Sequence, residues 1–270
     1  MKQPVLPCHV LVMVTCLLGP ISAFAQDEEK KPDPKVLAAE KVLDRFANAV
    51  GEKEALAKIK TRVVKGNIQL GGKKYGQMVR HLKAPNSMHT HFILPNDNYF
   101  QLTTDGKHVW RVDSVTRKPK LIDPLNEEAI GTVHKAAIDG NVNWRKYLKS
   151  WILKEEVEVK GKTLYKEGKK ADHLVLETNA RFGPILHQYY DKENGLLIKT
   201  KQQIPEEGRY VWTETYMSDY KKVDGILLPH QISIQIKGIP IDILVAEVKH
   251  NVTIPEQYFR LPESLKSQID

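Results

Sequence analysis

The stretch "HQISIQIKGIPIDILVAEVKH" (His230–His250) decides the fold. Ile232, Ile234 and Ile236 alternate with Gln231, Ser233, Gln235 and Lys237, the period-two pattern of a strand with one dry face. Gly238 and Pro240 interrupt it, and the alternation resumes through Ile241, Ile243 and Val245. With Gly238-Ile239 as a two-residue loop, Ile236 faces Ile241, Ile234 faces Ile243 and Ile232 faces Val245. Opposed residues share a face, so the hairpin presents one continuous aliphatic side. Such a side needs a cover.

The same alternation runs outward through most of the chain. Strands are expected at 62–70, 75–83, 87–94, 98–104 and 107–113, then at 151–159, 162–168, 171–179, 184–191, 196–204, 209–219, 226–237 and 240–250. Gly71-Gly72, Ala84-Pro85-Asn86, Pro95-Asn96-Asp97, Asp105-Gly106, Asn194-Gly195 and Asp224-Gly225 supply turn chemistry between them. Two segments break the pattern. "KVLAAEKVLDRFANAV" places Ala39, Val42, Leu43, Phe46 and Val50 on one helical face, with Gly51 as a stop and a short helical turn in "EKEALAKI". The residues near 123–150 predict a helical insertion in two pieces, broken near Gly140. Many antiparallel strands, one leading helix and an inserted pair predict a mainly β protein with helices, a large curved sheet wrapped around its helical cover.

"SMHTHFIL" (Ser87–Leu94) puts two histidines one residue apart. A turn centred on Pro85 pairs His81 with His89 and Val79 with His91, and leaves Met78, Leu82, Met88, Phe92 and Leu94 on the opposite face. His81, His89 and His91 then point the same way, but these two strands offer no Asp or Glu to complete a metal site. The reading is a wet strand face, with no metal and no cofactor. Catalytic templates are missing: no nucleophile elbow, no phosphate loop, no dinucleotide fingerprint, no paired histidines on a helix. In "ADHLVLET", Asp172 and His173 point to opposite faces of a strand and make no relay. Trp110, Trp144, Trp151, Trp212, Tyr210 and Tyr216 are expected to pack in the core or on the sheet. The "NVT" at Asn251 is a glycosylation acceptor only in a eukaryotic secretory pathway.

The first residues are read as an address. "MKQPVLPCHVLVMVTCLLGPISAFAQ" has one basic residue, an apolar middle broken by Pro7 and Pro20, and a small-x-small site at Ala23 and Ala25. This predicts a secretory signal over 1–25, cleaved after Ala25, followed by a flexible, charged lead-in over 26–35. Both cysteines, Cys8 and Cys16, lie within that signal, and Cys16 lacks the small preceding residue that lipidation wants. The mature chain then has no thiol and no disulfide. Losing Lys2 lowers the formal net charge of +8 by one. The lysines are dispersed, which reads as a solvated surface, with an anionic membrane surface as a further contact. An exported chain without a recognisable binding motif argues against nucleic acid.

The order of "VLDRFANAVGEKEALAKIKTRVVKGNIQL", "LKAPNSMHTHFILP", "TTDGKHVWRVD", "YYDKENGLLIKT", "SDYKKVDGILLPHQISI" and "AEVKHNVTIPEQYFRLPE" resembles the bacterial outer-membrane lipoprotein-sorting proteins, the LolA/LolB-like superfamily, especially its larger uncharacterised members. The resemblance spans about 36–262 and lies in order and spacing, not in one stringent motif. It implies a single domain over 36–270: an incomplete antiparallel β-barrel, helices on its concave side, and a hydrophobic cavity between. The insertion near 123–150 and the greater length depart from the founding carriers. On this reading the expected lining is Met88, Phe92, Leu94, Phe100, Leu102, Leu174, Leu176, Ile198, Ile232, Ile234 and Ile236. The expected activity is non-enzymatic: a periplasmic binding or carrier protein for lipid or lipoprotein acyl chains, with envelope membrane proteins as possible further partners. The alternatives are an envelope sensor that recognises lipoproteins and a metal-dependent enzyme.

Overall fold

The computed structural model describes residues 32–51, 53–123, 127–140, 142–158, 172–180, 185–206, 209–236 and 238–269. The expected signal and cleavage site, most of the lead-in and the strand expected at 162–168 lie outside these residues. The compact unit spans Asp33–Asp270.

The chain opens with α1 (Pro34–Val50). Asp33 caps it by accepting a hydrogen bond from the Lys35 amide at 2.8 Å, and Pro34 occupies its first turn, where a missing N–H costs nothing. All five residues expected on its apolar face are buried, together with Ala47. It ends at Gly51, whose φ of 153° L side chains rarely adopt and where a Cβ would stand 2.9 Å from Ile226 Cδ1. After α2 (Lys53–Ala57) come β1 (Thr61–Leu70), β2 (Lys73–Lys83), β3 (Ser87–Ile93), β4 (Tyr99–Thr104), β5 (Val109–Asp113) and β6 (Lys120–Ile122). Two helices follow, α3 (Glu127–Lys135) and α4 (Trp144–Tyr147). The chain returns through β7 (Leu148–Glu158), β8 (Asp172–Ala180), β9 (Ile185–Asp191), β10 (Leu197–Glu206), β11 (Arg209–Val223), β12 (Ile226–Ile236) and β13 (Ile239–His250).

These strands form one antiparallel sheet of 13, in the order β6-β5-β4-β3-β2-β1-β13-β12-β11-β10-β9-β8-β7. The first and last strands pair at its middle, and β6 and β7, flanking the helical insertion, are its two edges. The sheet is therefore curved but not closed, and the insertion connects the two sides of the opening. Inside the expected insertion, β7 already begins at Leu148. The three-residue β6 was not anticipated, since "KLI" is too short to show a period.

The β2–β3 register is the expected one, with His81 opposite His89 and Val79 opposite His91. The β12–β13 register is not. Ile236 pairs with Ile239, Ile234 with Ile241 and Ile232 with Ile243, two residues from expectation. Gly238, with φ 80°, directly precedes Ile239, as a left-handed glycine does when it is the second central residue of a tight hairpin. A shift of two preserves the faces, so the aliphatic side survives the correction.

A second correction concerns the face opposite the helices. It is not wet over His89, Thr103 and Trp110. The chain after β13 folds back through a 3-10 turn (Glu256–Tyr258) and α5 (Glu263–Lys266). Tyr258 stacks on His81 at 4.5 Å and lies 5.1 Å from His89, and Lys83 pairs with Glu256. Ile254, Phe259 and Leu265 of this segment are buried, as are His89, Thr103 and Trp110. Asn251, the glycosylation match, accepts a hydrogen bond from the Lys60 amide at 2.8 Å and so starts the return.

Candidate functional site

Strand alternation sorts the inner, helix-facing side of the sheet into two kinds of apolar surface. The first is covered. Val42, Leu43, Phe46, Ala47 and Val50 of α1 pack on Leu153, Leu174, Leu176, Tyr190, Leu197 and Met217, with Phe46 edge-on to Tyr190 at 5.4 Å. Leu56 and Ile59, together with Ala136 and Ile138, pack on Leu82, Met88, Leu102, Ile226 and Leu228. These are dry cores.

The second surface is open. Ile68, Met78 and Ile243 are buried, with Val64, Phe92, Leu94, Ile232, Ile234 and Ile241 half-buried around them. Among the described residues every member comes from β1, β2, β3, β12 and β13 or from the residue after β3, and none from a helix. The same face runs on to Leu70 and Ile239 at the hairpin ends, 37% and 54% exposed. Among the described residues, the result is an apolar floor without a helix on it.

Two arginines stand on the inner face of β1 and β2, beside this floor. Arg80 lies between Met78 and Leu82 on β2, flanked across the ladder by Val64 and Thr90. Its Nε donates to Thr90 Oγ1 at 3.0 Å, and among the described residues its guanidinium has no carboxylate partner. Burial pulls its pKa down. Arg62, diagonal to it, donates through Nε to His250 Nε2 at 2.9 Å, and His250 Nδ1 in turn donates to Asp224 Oδ2 at 2.9 Å. Because Nε2 accepts, the proton of a neutral His250 sits on Nδ1. The Arg62 Nη2 is buried without a partner, and burial lowers the group's pKa to about 10.

Polar side chains also tie the helices to the sheet. Asp44 on α1 accepts from Trp144 Nε1 at 3.0 Å and from both Arg145 Nη atoms, at 2.8 and 3.1 Å, and the Arg145 guanidinium holds its carboxyl below the usual range. Glu40 accepts from Trp151 Nε1 at 3.2 Å, and Trp144 meets Trp151 edge-on at 4.8 Å. This clamp fixes α4 and β7 to α1. Beside it lies a cleft of about 500 Å³ lined by Lys53, Asp139, Val142, Asn143, Arg145 and Lys146, which none of the expected lining residues reaches. Burial pushes the His89 pKa down to about 4 and lowers those of His81 and His91, so these rings stay neutral at neutral pH. Among the described residues no three His, Cys, Asp or Glu side chains are grouped to hold a metal ion. No described helix is long and apolar enough to cross a membrane.

The structure thus distributes the residues expected to line a cavity. Leu174 and Leu176 lie under α1, and Met88 and Leu102 lie under α2 and the segment around Ile138. Phe92, Leu94, Ile232 and Ile234 lie together on the open floor, with Phe100 beside Phe92 at 6.1 Å and Ile236 further along the inner face of β12. Ile198 is buried next to the β9–β10 irregularity. Sequence reasoning missed Arg62 and Arg80. The signal existed, because Arg80 falls between Met78 and Leu82 in strict alternation.

No family model matches the chain, and no curated protein matches it. Solved structures do. A domain described as an outer membrane lipoprotein-sorting protein domain, from Vibrio parahaemolyticus, is similar at a TM-score of 0.54 and 14% identity, over 86% of this chain and 98% of that one. A LolA superfamily protein from Nitrosomonas europaea is similar at 0.53 and 13% identity, over 83% and 97%. A DUF1329 family protein from Desulfovibrio piger gives 0.52 and 14% identity, over 82% and 97%. The chain has the LolA-like incomplete-barrel fold.

Proposed function

We propose that this chain is a non-enzymatic periplasmic binding or carrier protein for a hydrophobic ligand, a lipid or the acyl chains of a lipoprotein. The observation that carries the reading is the apolar floor in which half-buried side chains surround the buried Ile68, Met78 and Ile243, with no helix residue among its described members. Burying methylenes on such a surface yields about 0.8 kcal/mol each, so an alkyl chain can be held without any catalytic group. Similarity to a lipoprotein-sorting domain and a LolA superfamily protein supports the same reading at the level of fold. On this proposal residues 1–25 direct export and are removed after Ala25, and 36–270 act as a single domain. Phe92, Leu94, Ile232, Ile234 and Ile236 line the ligand site, and Leu174, Leu176, Met88 and Leu102 support it from beneath the helices.

The test is extraction of the mature protein from the periplasm under native conditions, with mass spectrometry of the lipid that accompanies it. Its N-terminus is expected at Gln26, and the stripped protein is expected to bind a fluorescent fatty acid. A protein that carries no lipid and binds no such probe is not a lipid carrier.

A further inference from the structure

The open floor ends on a charge. Arg80 sits on the inner face between Met78 and Leu82, diagonal to Phe92, with Thr90 Oγ1 as its hydrogen-bonded neighbour. Arginine does not shed its proton under ordinary conditions, so a half-buried guanidinium on an apolar face favours an anion beside it. The strands around it supply none. By register the inner face of β1 to β6 also carries Arg62, Arg111 and Lys120. The one strand carboxylate on that face is Asp113, whose Oδ1 is occupied by Val115 and Thr116 of its own turn. Arg62 donates through Nε to His250 and keeps Nη2 without a partner, but it stands one position further from the floor than Arg80, which directly follows Met78 on the inner face and lies diagonal to Phe92.

We propose that Arg80, with Thr90, receives the anionic head of a single-chain acidic amphiphile whose alkyl chain lies along the floor. The inference rests on the carrier reading above and narrows its ligand class to acids, a carboxylate or a phosphate monoester. The dimensions agree. From Val64, beside Arg80, the inner-face residues of β1 run through Ile68 to the exposed Leu70, about 20 Å at 3.3 Å per residue, the length of an extended long-chain fatty acid. A planar guanidinium suits either head, since it offers paired donors to two oxygens. The uncharged acylated end of a lipoprotein would leave Arg80 unpaired.

Three ligands of equal chain length separate the possibilities: a fatty acid, the matching fatty alcohol and the matching alkyl phosphate, each titrated against the stripped mature protein. The wild type is expected to bind at least one acid about tenfold or more tighter than the alcohol, and the better acid identifies the head. Arg80→Met is expected to bind acid and alcohol alike with alcohol affinity unchanged, and Arg80→Lys to keep part of the preference. Arg80→Met should melt no lower than the wild type, because it removes an uncompensated charge from an apolar face. Equal wild-type affinity for acid and alcohol, or a preference that survives Arg80→Met, overturns the acid site and leaves the carrier standing. If none of the three binds, both fall.

Discussion

His89 shows how one residue changes meaning between strand and molecule. Its ring lies under Tyr258, 8% exposed, with Nδ1 against Thr103 Oγ1 at 2.9 Å and a pKa near 4. A histidine whose folded pKa lies below its unfolded value of about 6.5 binds its proton more readily when unfolded. Its stabilising contribution is therefore complete above about 6.5 and is lost as the pH falls toward 4. His81 and His91 shift in the same direction, and Lys65 opposes protonation of His81. The melting temperature of the wild type should drop between pH 6.5 and 4.5 by more than that of His89→Gln, which should itself be about 1 kcal/mol less stable at pH 7.5. Parallel pH profiles for the two proteins would show that His89 is solvated after all.

At the scale of elements, the covered and open surfaces predict opposite responses to mutation. Phe46 fills a closed site between α1 and β9, so Phe46→Ala should cost about 3–5 kcal/mol, read by denaturant unfolding. Asp44 joins α1 to α4 through Trp144 and Arg145, and Asp44→Ala should cost about 1–3 kcal/mol by stranding the Trp144 N–H. Ile234 belongs to the open floor. Ile234→Trp in a full core would cost about 1–3 kcal/mol; on the floor it should leave the melting temperature nearly unchanged and weaken binding of a fluorescent fatty acid. A strongly destabilised Ile234→Trp that leaves probe binding intact would make the floor ordinary core.

At the scale of the whole molecule, one sheet carries two different coverings. Helices take part of the inner face, and the chain after β13 takes the outer face over His81, His89, Thr103 and Trp110. Ile254, Phe259 and Leu265 bury their side chains in that return, at about 1.5–3 kcal/mol apiece. Ending the chain after Val252 should therefore lower stability by roughly 5 kcal/mol on that scale. It should spare fatty-acid binding, which belongs to the other face, in whatever fraction remains folded. Loss of binding by folded, truncated protein would couple the two faces in a way the register does not suggest.

The amphipathic stripe of α1, the antiparallel strands and the dry side of the last hairpin were legible because each rests on local periodicity, which the order of side chains states outright. Even the wrong hairpin register kept the right faces, since a two-residue slip leaves alternation intact. The pairing of β1 with β13 and the openness of the sheet between β6 and β7 join residues far apart in sequence, and no local pattern encodes them. The same holds for coverage. Alternation says which way His89, Met88 and Arg80 point, but only the folded chain decides what stands opposite: Tyr258 over His89, Leu56 and Ile138 near Met88, and no carboxylate beside Arg80 among the described residues. Burial, and with it pKa and the distinction between core and ligand floor, depends on that opposite partner, so it belongs to the tertiary structure alone.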